Sequence, residues 1–450
     1  AILDEIAAEA RAQVQGQNVP ADAIEVNRVA HVRASGAHLT IEVPFGSAQA
    51  MTAQFLEQHR ARFGYAPEQA DLIVELLVVE AVGRTGAIPD IDTAPHDGRT
   101  PRTARMFTNG EWRDVPLENR LTLSLGDKVK GPAIIGEPTG TNIVEPGWEA
   151  EVIGGGNLVL RRVEAQVRNE AIGTQADPLM LEVFNNLFMN IAEQMGATLA
   201  NTAYSINIKE RLDFSCAIFD AEGSLVANAP HVPVHLGSMS DSVRRVLDQN
   251  RGQLRPGDAI MMNDPFNGGT HLPDVTVVTP VFDEAGEDLL FVVASRGHHA
   301  DIGGTTPGSA PPDSRHIDEE GVLIDNFFLV REGRFQEEDT RALLASGRYP
   351  CRNIDQNIAD LAAQIAANST GAHEVARMVA QFGQDVVQAY MVHVQNNAEE
   401  CVRRVIDVLK DSAYSYSLDN GAKIEVKISI DRGNRSAVVD FAGTSPQQDG

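Results

Sequence analysis

Two β runs and the loops at their ends constrain this chain more than any other feature. VTVVTPVF (275–282) is preceded by the loop THLPD, and LLFVVAS (289–295) is followed by the loop GHHAD. Runs rich in β-branched and aromatic residues read as strands. Strands this close in sequence are expected to be neighbours in one sheet. Side by side, they bring the entry loop of the first together with the exit loop of the second. Both loops carry imidazole and carboxylate: His271-x-x-Asp274 in one, His298-His299-x-Asp301 in the other.

Histidine and carboxylate at short spacing, on loops held by rigid strands, suit a hydrolytic divalent-metal site. A metal there would polarise an amide carbonyl or lower the pKa of a water. Spacing alone leaves a second reading open, in which these side chains only hydrogen-bond loop backbone, as Asp often does in turns.

Other segments near these runs hold further candidates. The strand entry Lys209-Glu210-Arg211-x-Asp213-Phe214-Ser215-Cys216 offers Arg211 to hold a substrate carboxylate bidentately and Asp213 as general base or ligand. A surface ion pair is the plainer use of the same charges. Ser215 and Cys216 lack the flanks of a nucleophile elbow or a papain-type cysteine, so Cys216 reads as buried filler. In the loop from Asp301 to Gly308, Gly303, Gly304 and Thr305 let backbone approach a ligand, or simply make a tight turn. His231 and His235 flank Pro233, which excludes a helix of the H-E-x-x-H kind. That segment reads as extended, with both rings on one side.

At 450 residues the chain suits two or three domains. Residues 1–90 alternate helical and strand periods, an α+β subdomain; residues 91–165 are turn-dense short strands, a β-rich domain; residues 166–450 form a larger α+β domain. The overall class is mixed α/β of the α+β kind. Asp177-Pro178 opens a helix whose stripe Met180, Phe184, Leu187, Phe188, Ile191 and Met195 belongs in a core. After Asn353 the text is helical to Lys410, with a break expected at Ser369-Thr370-Gly371. Ile424 to Ile430 and AVVDFAG read as one hairpin around the turn Asp431 to Asn434. The opening AILDEIAAEARAQ and the closing TSPQQDG read as the interior of a longer polypeptide.

The formal net charge of −26 is spread along the chain, which excludes nucleic acid and anionic membrane as partners. The 3 cysteines form no C-x-x-C pair, which fits a reducing cytoplasm and leaves no cysteine zinc site. Neither a G-x-x-x-x-G-K-[ST] loop nor a G-x-G-x-x-G after a strand is present, so a phosphate cradle for ATP is expected outside these residues.

The runs DFSCAIFDAEGSLVANAPHVPVHLGSMSDSV, NDPFNGGTHLPDVTVVTPVF and ASRGHHADIGGTTPGSAPP closely resemble the B-type half of the hydantoinase/oxoprolinase family. The resemblance runs from about Asp177 through RNIDQNIADLAAQIAAN to the end. Residues 1–165, closing in GPAIIGEPTGTNIVEPGWEAEV, resemble the C-terminal part of the A-type, ATPase half. A-type before B-type text on one chain is the order of the 5-oxoprolinase branch. The resemblance implies ATP-dependent opening of a cyclic amide, 5-oxoproline to glutamate. ATP with Mg would be bound by an A-type region outside this chain, and the activated lactam hydrated in the B-type half near a divalent metal (Mn, Zn, Fe or Mg). It implies His271, Asp274 and His298 as metal ligands, Asp213 as base or additional ligand, and His299 as a lesser catalytic candidate. Gly303, Gly304 and Thr305 are expected to line the substrate. A lactam or imide substrate, the remaining A-type and B-type regions and a homo-oligomer are the partners expected. Rival readings are an ATP-dependent hydantoinase, a ketone carboxylase, and a non-catalytic docking segment between the halves.

Overall fold

A computed structural model describes residues 2–35, 40–67, 71–84, 102–164, 173–309 and 311–448. They divide into two units, residues 1–28 with 78–171 and residues 29–77 with 172–450. The domain boundary expected at 165–166 lies outside the described residues.

Along the chain, α1 (Ile2–Gln15), β1 (Ile24–Ala34), β2 (Ile41–Pro44), α2 (Ala48–Phe63) and β3 (Leu72–Gly83) come first. The strands join in the order β2–β1–β3. Ser47 caps α2 by accepting from the Ala50 N–H, and Gly64, at φ 79°, closes it with its own N–H on Arg60 O. Ala30, Val32, Val43, Phe55 and Phe63 fill one buried cluster between this helix and the sheet. The turn-dense text then gives β4 (Thr103–Thr108), β5 (Glu111–Asn119), β6 (Lys128–Lys130), β7 (Ala133–Gly136), β8 (Thr141–Val144), β9 (Trp148–Ile153) and β10 (Asn157–Arg162). They form two small sheets, β4–β5–β7–β8 and β10–β9–β6, with Leu123, Val129, Ile135, Val144 and Val152 buried among them.

The second unit holds α3 (Pro178–Thr202), α4 (Ile206–Lys209), β11 (Phe214–Asp220), β12 (Leu225–Asn228), α5 (Pro233–Gln249), β13 (Ala259–Met262), β14 (Asp274–Phe282) and β15 (Leu289–His298). It continues through β16 (Phe327–Arg331), β17 (Arg334–Phe335), α6 (Glu337–Leu344), α7 (Ile354–Phe382), α8 (Gln384–Val408), β18 (Ser412–Ser417), β19 (Lys423–Asp431) and β20 (Ser436–Asp440). Seven strands make one antiparallel sheet in the order β12–β11–β15–β14–β13–β16–β17. Strand alternation sorts its two faces. Cys216, Ile218 and Val293 pack on Phe188, Met195, Ala363 and Ala367 of α3 and α7. Ala217, Phe219, Val292 and Ala294 pack on Met239, Val243 and Val246 of α5. Each such large side chain, fully buried, contributes on the order of 1.5–3 kcal/mol. The apolar stripe of α3 is therefore core, as its spacing indicates.

A buried polar stripe on α7 ties that helix to the sheet. Gln364 donates to Val275 O and Ser295 O at 3.0 and 3.2 Å, and Asn368 donates to Val277 O at 3.0 Å. These amides hold the two strands whose ends carry the histidines.

Two sequence expectations need correction. Helix α7 runs through Ser369-Thr370-Gly371 without a break and ends at Gly383. Gly371 is a contact rather than a breaker: a Cβ there would collide with the sulfur of Met195 on α3. The C-terminal strands make a three-stranded sheet, β18–β19–β20, not a lone hairpin. Among the described residues no helix is long and apolar enough to cross a membrane.

Candidate metal centre

Strand register builds the centre. β14 and β15 pair antiparallel with Asp274 directly opposite His298, and directly opposed side chains on one face are near neighbours. The His298 N–H donates to Asp213 O at 3.0 Å, so the entry to β11 closes the third side. His271 arrives on the turn before β14. Asp264 accepts from Phe266 N at 2.9 Å, and Gly268 takes φ 92°. Gly269 packs so tightly on Asn263 O that no side chain fits there. Buried Asn263 donates to Leu272 O at 2.8 Å and Val322 O at 3.0 Å, pinning the residue that follows His271.

His271 Nδ1 consequently lies 3.0 Å from Asp274 Oδ2, and the rings of His271 and His298 have centroids 5.1 Å apart. One ligand atom from each of His271, Asp274 and His298 falls within 4.8 Å of the others. His298 Nδ1 stands 3.2 Å from the amide nitrogen of Asn207.

The Asp274 carboxylate is unevenly satisfied. Its side chain is 3% exposed, and Oδ2 accepts from Thr270 Oγ1 (2.8 Å), His271 Nδ1 (3.0 Å) and His235 Nε2 (3.2 Å). Oδ1 is buried with no hydrogen-bond partner. Burial opposes ionisation of Asp274, but the hydrogen bonds from His235 and His271 outweigh it and hold the carboxyl well below the usual range. The His271 pKa is raised, first by its hydrogen bond to Asp274, and also by the charges of Asp274 and Asp213. Burial lowers the Arg296 pKa to about 10, against the pull of the Asp274 charge. Two imidazoles and a carboxylate with one buried, unpartnered oxygen fit a divalent cation, which would satisfy that oxygen.

The other sequence candidates fall differently. Asp213 is half-buried beside His271, whose titration feels its charge. Arg211 is exposed and makes no ion pair among the described residues. Asp301 pairs with Arg352 at 2.7 Å instead of joining the histidines. His299, just past the end of β15, faces α7. Its Nε2 meets Gln364 Oε1 and its Nδ1 meets Asn357 Nδ2, each at 3.1 Å, and burial lowers its pKa.

Gly303 and Gly304 pack closely against protein backbone. Both are buried at positive φ, 94° and 86°. A Cβ on Gly303 would strike Tyr349 O, and one on Gly304 would come within 2.7 Å of Glu320 O. Arg352 donates to both of their carbonyls, at 3.2 and 2.6 Å. Thr305 is exposed, with its N–H on Glu319 O at 2.8 Å.

His235 is the residue that sequence reasoning undervalued. Pro233 forbids a helix running through it from His231, but it starts one, and His235 sits in the first turn of α5. His231 stays outside, accepting from Cys216 N at 3.2 Å. Proline at a helix's first position, with Met239, Val243 and Val246 following at helical spacing, was the available signal.

Residues 177–450 match the family model described as hydantoinase B/oxoprolinase, and residues 2–154 match that of the hydantoinase/oxoprolinase C-terminal domain. The chain belongs to the hydantoinase B/oxoprolinase family. It is 41% identical over 428 residues to 5-oxoprolinase 1 of Arabidopsis thaliana, covering 89% of this chain and 34% of that protein. It is 37% identical over 459 residues to the 5-oxoprolinase of Dictyostelium discoideum, covering 98% and 35%. It therefore spans about a third of the length of these relatives. An ATP-dependent caprolactamase from Pseudomonas jessenii superposes with a TM-score of 0.54 at 27% identity, over 61% of this chain and 47% of that one. A nucleotide-free acetone carboxylase shares the fold, with a TM-score of 0.52 at 16% identity, over 60% and 38%.

Proposed function

We propose that this chain serves the hydration stage of an ATP-dependent cyclic amidase of the 5-oxoprolinase type, which opens 5-oxo-L-proline to L-glutamate while ATP becomes ADP and phosphate. The observation that carries the reading is the convergence of His271, Asp274 and His298, one ligand atom of each within 4.8 Å of the others, with Asp274 Oδ1 buried and unpartnered. The named 5-oxoprolinases among the relatives and the lactam-opening structural neighbour support the substrate class. The relatives' greater length supports an ATP-binding A-type region beyond these residues.

An unactivated lactam is a poor electrophile, and phosphorylating its oxygen opens that carbon to water. His271, Asp274 and His298 would hold a divalent cation, which supplies Lewis acidity to a carbonyl or water oxygen. Asp274 stays ionised under its hydrogen bonds, and Asp213, half-buried beside His271, would take a proton from the water. Because the metal-bearing loops hang from a sheet clamped by α7, the side chains meet the substrate already oriented.

Turnover of ATP with 5-oxoproline, hydantoin or acetophenone, each with and without bicarbonate, by the polypeptide carrying this chain and its A-type region tests the reading. Glutamate formation strictly dependent on ATP and 5-oxoproline is expected. Bicarbonate-dependent ketone turnover would replace the proposal with a carboxylase. Hydantoin turnover alone would favour a hydantoinase, the name carried by a Pseudomonas sp. relative 29% identical over 293 residues. A folded protein that binds no divalent ion would favour a docking role.

A further inference from the structure

Helix α5 begins beneath the metal centre. His235, in its first turn, is 2% exposed, with Nε2 3.2 Å from Asp274 Oδ2 and Nδ1 3.1 Å from Ser215 Oγ. Ser215 Oγ also lies 3.4 Å from Val232 O. One ring thus links β11, α5 and β14 with both nitrogens engaged. A carboxylate only accepts, so Nε2 presents its hydrogen to Asp274.

The helix end that carries the ring is itself held. Arg296, fully buried on β15, donates from Nη1 to Ser238 Oγ, from Nη2 to Ser242 Oγ at 2.7 Å and from Nε to Thr276 Oγ1 at 2.8 Å. Nη1 also reaches His235 O at 3.5 Å. Ser242 Oγ bonds Gly268 O, which joins the same helix to the turn leading to His271.

We propose that His235 is a positioning residue of the cation site, fixing Asp274 through Oδ2 so that Oδ1 is the oxygen turned to the ion. The proposal rests on the reading of His271, Asp274 and His298 as the residues that hold metal. Oδ2 takes three donors and Oδ1 none, and that asymmetry sets the direction of the carboxylate. Of the three donors, His271 is a ligand in that reading, and Thr270 is its chain neighbour. His235 alone comes from a separate element, so it anchors Asp274 independently of the loop that closes on the ion. A hydrogen-bond partner behind a ligand orients it and raises the site's affinity.

The test titrates the purified protein with Mn²⁺ and with Zn²⁺ in competition with a chelator. His235→Ala is expected to bind about tenfold to a hundredfold more weakly. His235→Gln, which restores an N–H donor, recovers most of that loss, and Ser215→Ala weakens binding by a few fold. His231→Ala removes a neighbouring histidine bonded to Cys216 N and keeps the parental affinity. Parental affinity in His235→Ala, or equal weakness in the Ala and Gln variants, overturns the proposal. If the alanine variant does not fold, His235→Met against His235→Gln decides it: a weak Met variant beside a near-parental Gln variant supports it, and equal affinities overturn it. Unchanged affinity in Asp274→Ala overturns the site reading itself, a result distinct from failure at His235 alone.

Discussion

Asp274 and His298 face each other across the β14–β15 ladder, first residue of one strand and last of the other. Their separation is therefore fixed by sheet register, and a one-residue slip would send them to opposite faces. The loop supplies His271, whereas the ladder supplies the other two. Asp274→Asn preserves shape and strand pairing but puts an amide where three donors converge on one oxygen. Loss of bound divalent metal exceeding about a hundredfold in affinity is expected, more than losing a hydrogen-bond partner behind the ligand would cause. Elemental analysis after dialysis against a graded chelator measures it; stoichiometric metal in the variant would remove Asp274 from the site.

The neighbouring histidines separate in the same assay. His299 is buried with both nitrogens facing amides of α7. Replacing it with alanine leaves Gln364 Oε1 with a lost partner, at a cost of about 1–3 kcal/mol. His299→Ala should lower the urea midpoint and keep metal, whereas His298→Ala should lose metal. A His299 variant that is metal-free and as stable as the parent would reverse this assignment.

The difference between these two residues shows where sequence reasoning reached and where it stopped. Adjacent strands with imidazole and carboxylate at their ends were enough to bring His271, Asp274 and His298 into one neighbourhood, because local patterning and strand proximity dictate it. Choosing between His298 and His299 needed the alternation at the last strand residue together with the Gln364 and Asn357 amides, which lie more than 50 residues away in sequence. The same limit explains Ser369-Thr370-Gly371. These residues are weak helix formers, yet α3 packs against them and tertiary contact overrides propensity. His235 depended on reading Pro233 as a beginning instead of a break.

Glycine chemistry in the loop after β15 gives a stability prediction. Gly303→Ala adds a methyl toward Tyr349 O at a φ that L residues rarely adopt. Destabilisation of about 1–3 kcal/mol is expected, read as a lower midpoint in urea. A residue whose bare backbone met substrate would instead raise KM and leave the midpoint unchanged, so measuring both quantities distinguishes the two uses of this glycine.

A histidine remote from the centre tests how burial shapes acid stability. His59 of α2 lies between Phe63 and Tyr65, with ring centroids 4.5 and 5.0 Å away, and its Nδ1–H donates to Tyr65 O at 2.9 Å. Burial lowers its pKa below the ordinary 6.5, despite the opposing pull of the Tyr65 carbonyl. In the unfolded chain the ring takes a proton at its ordinary pKa, while in the fold it resists doing so. The stabilisation is therefore complete above the unfolded value and lost as pH falls from there toward the lower folded value. The urea midpoint should fall between about pH 7 and pH 5. His59→Gln keeps an N–H donor and cannot titrate in this range, so its midpoint should decline less steeply over the same interval. Because His59 is no part of the His/Asp cluster, bound metal should be the same in both proteins at each pH. Parallel midpoint curves for parent and variant would show that another group governs the acid limb.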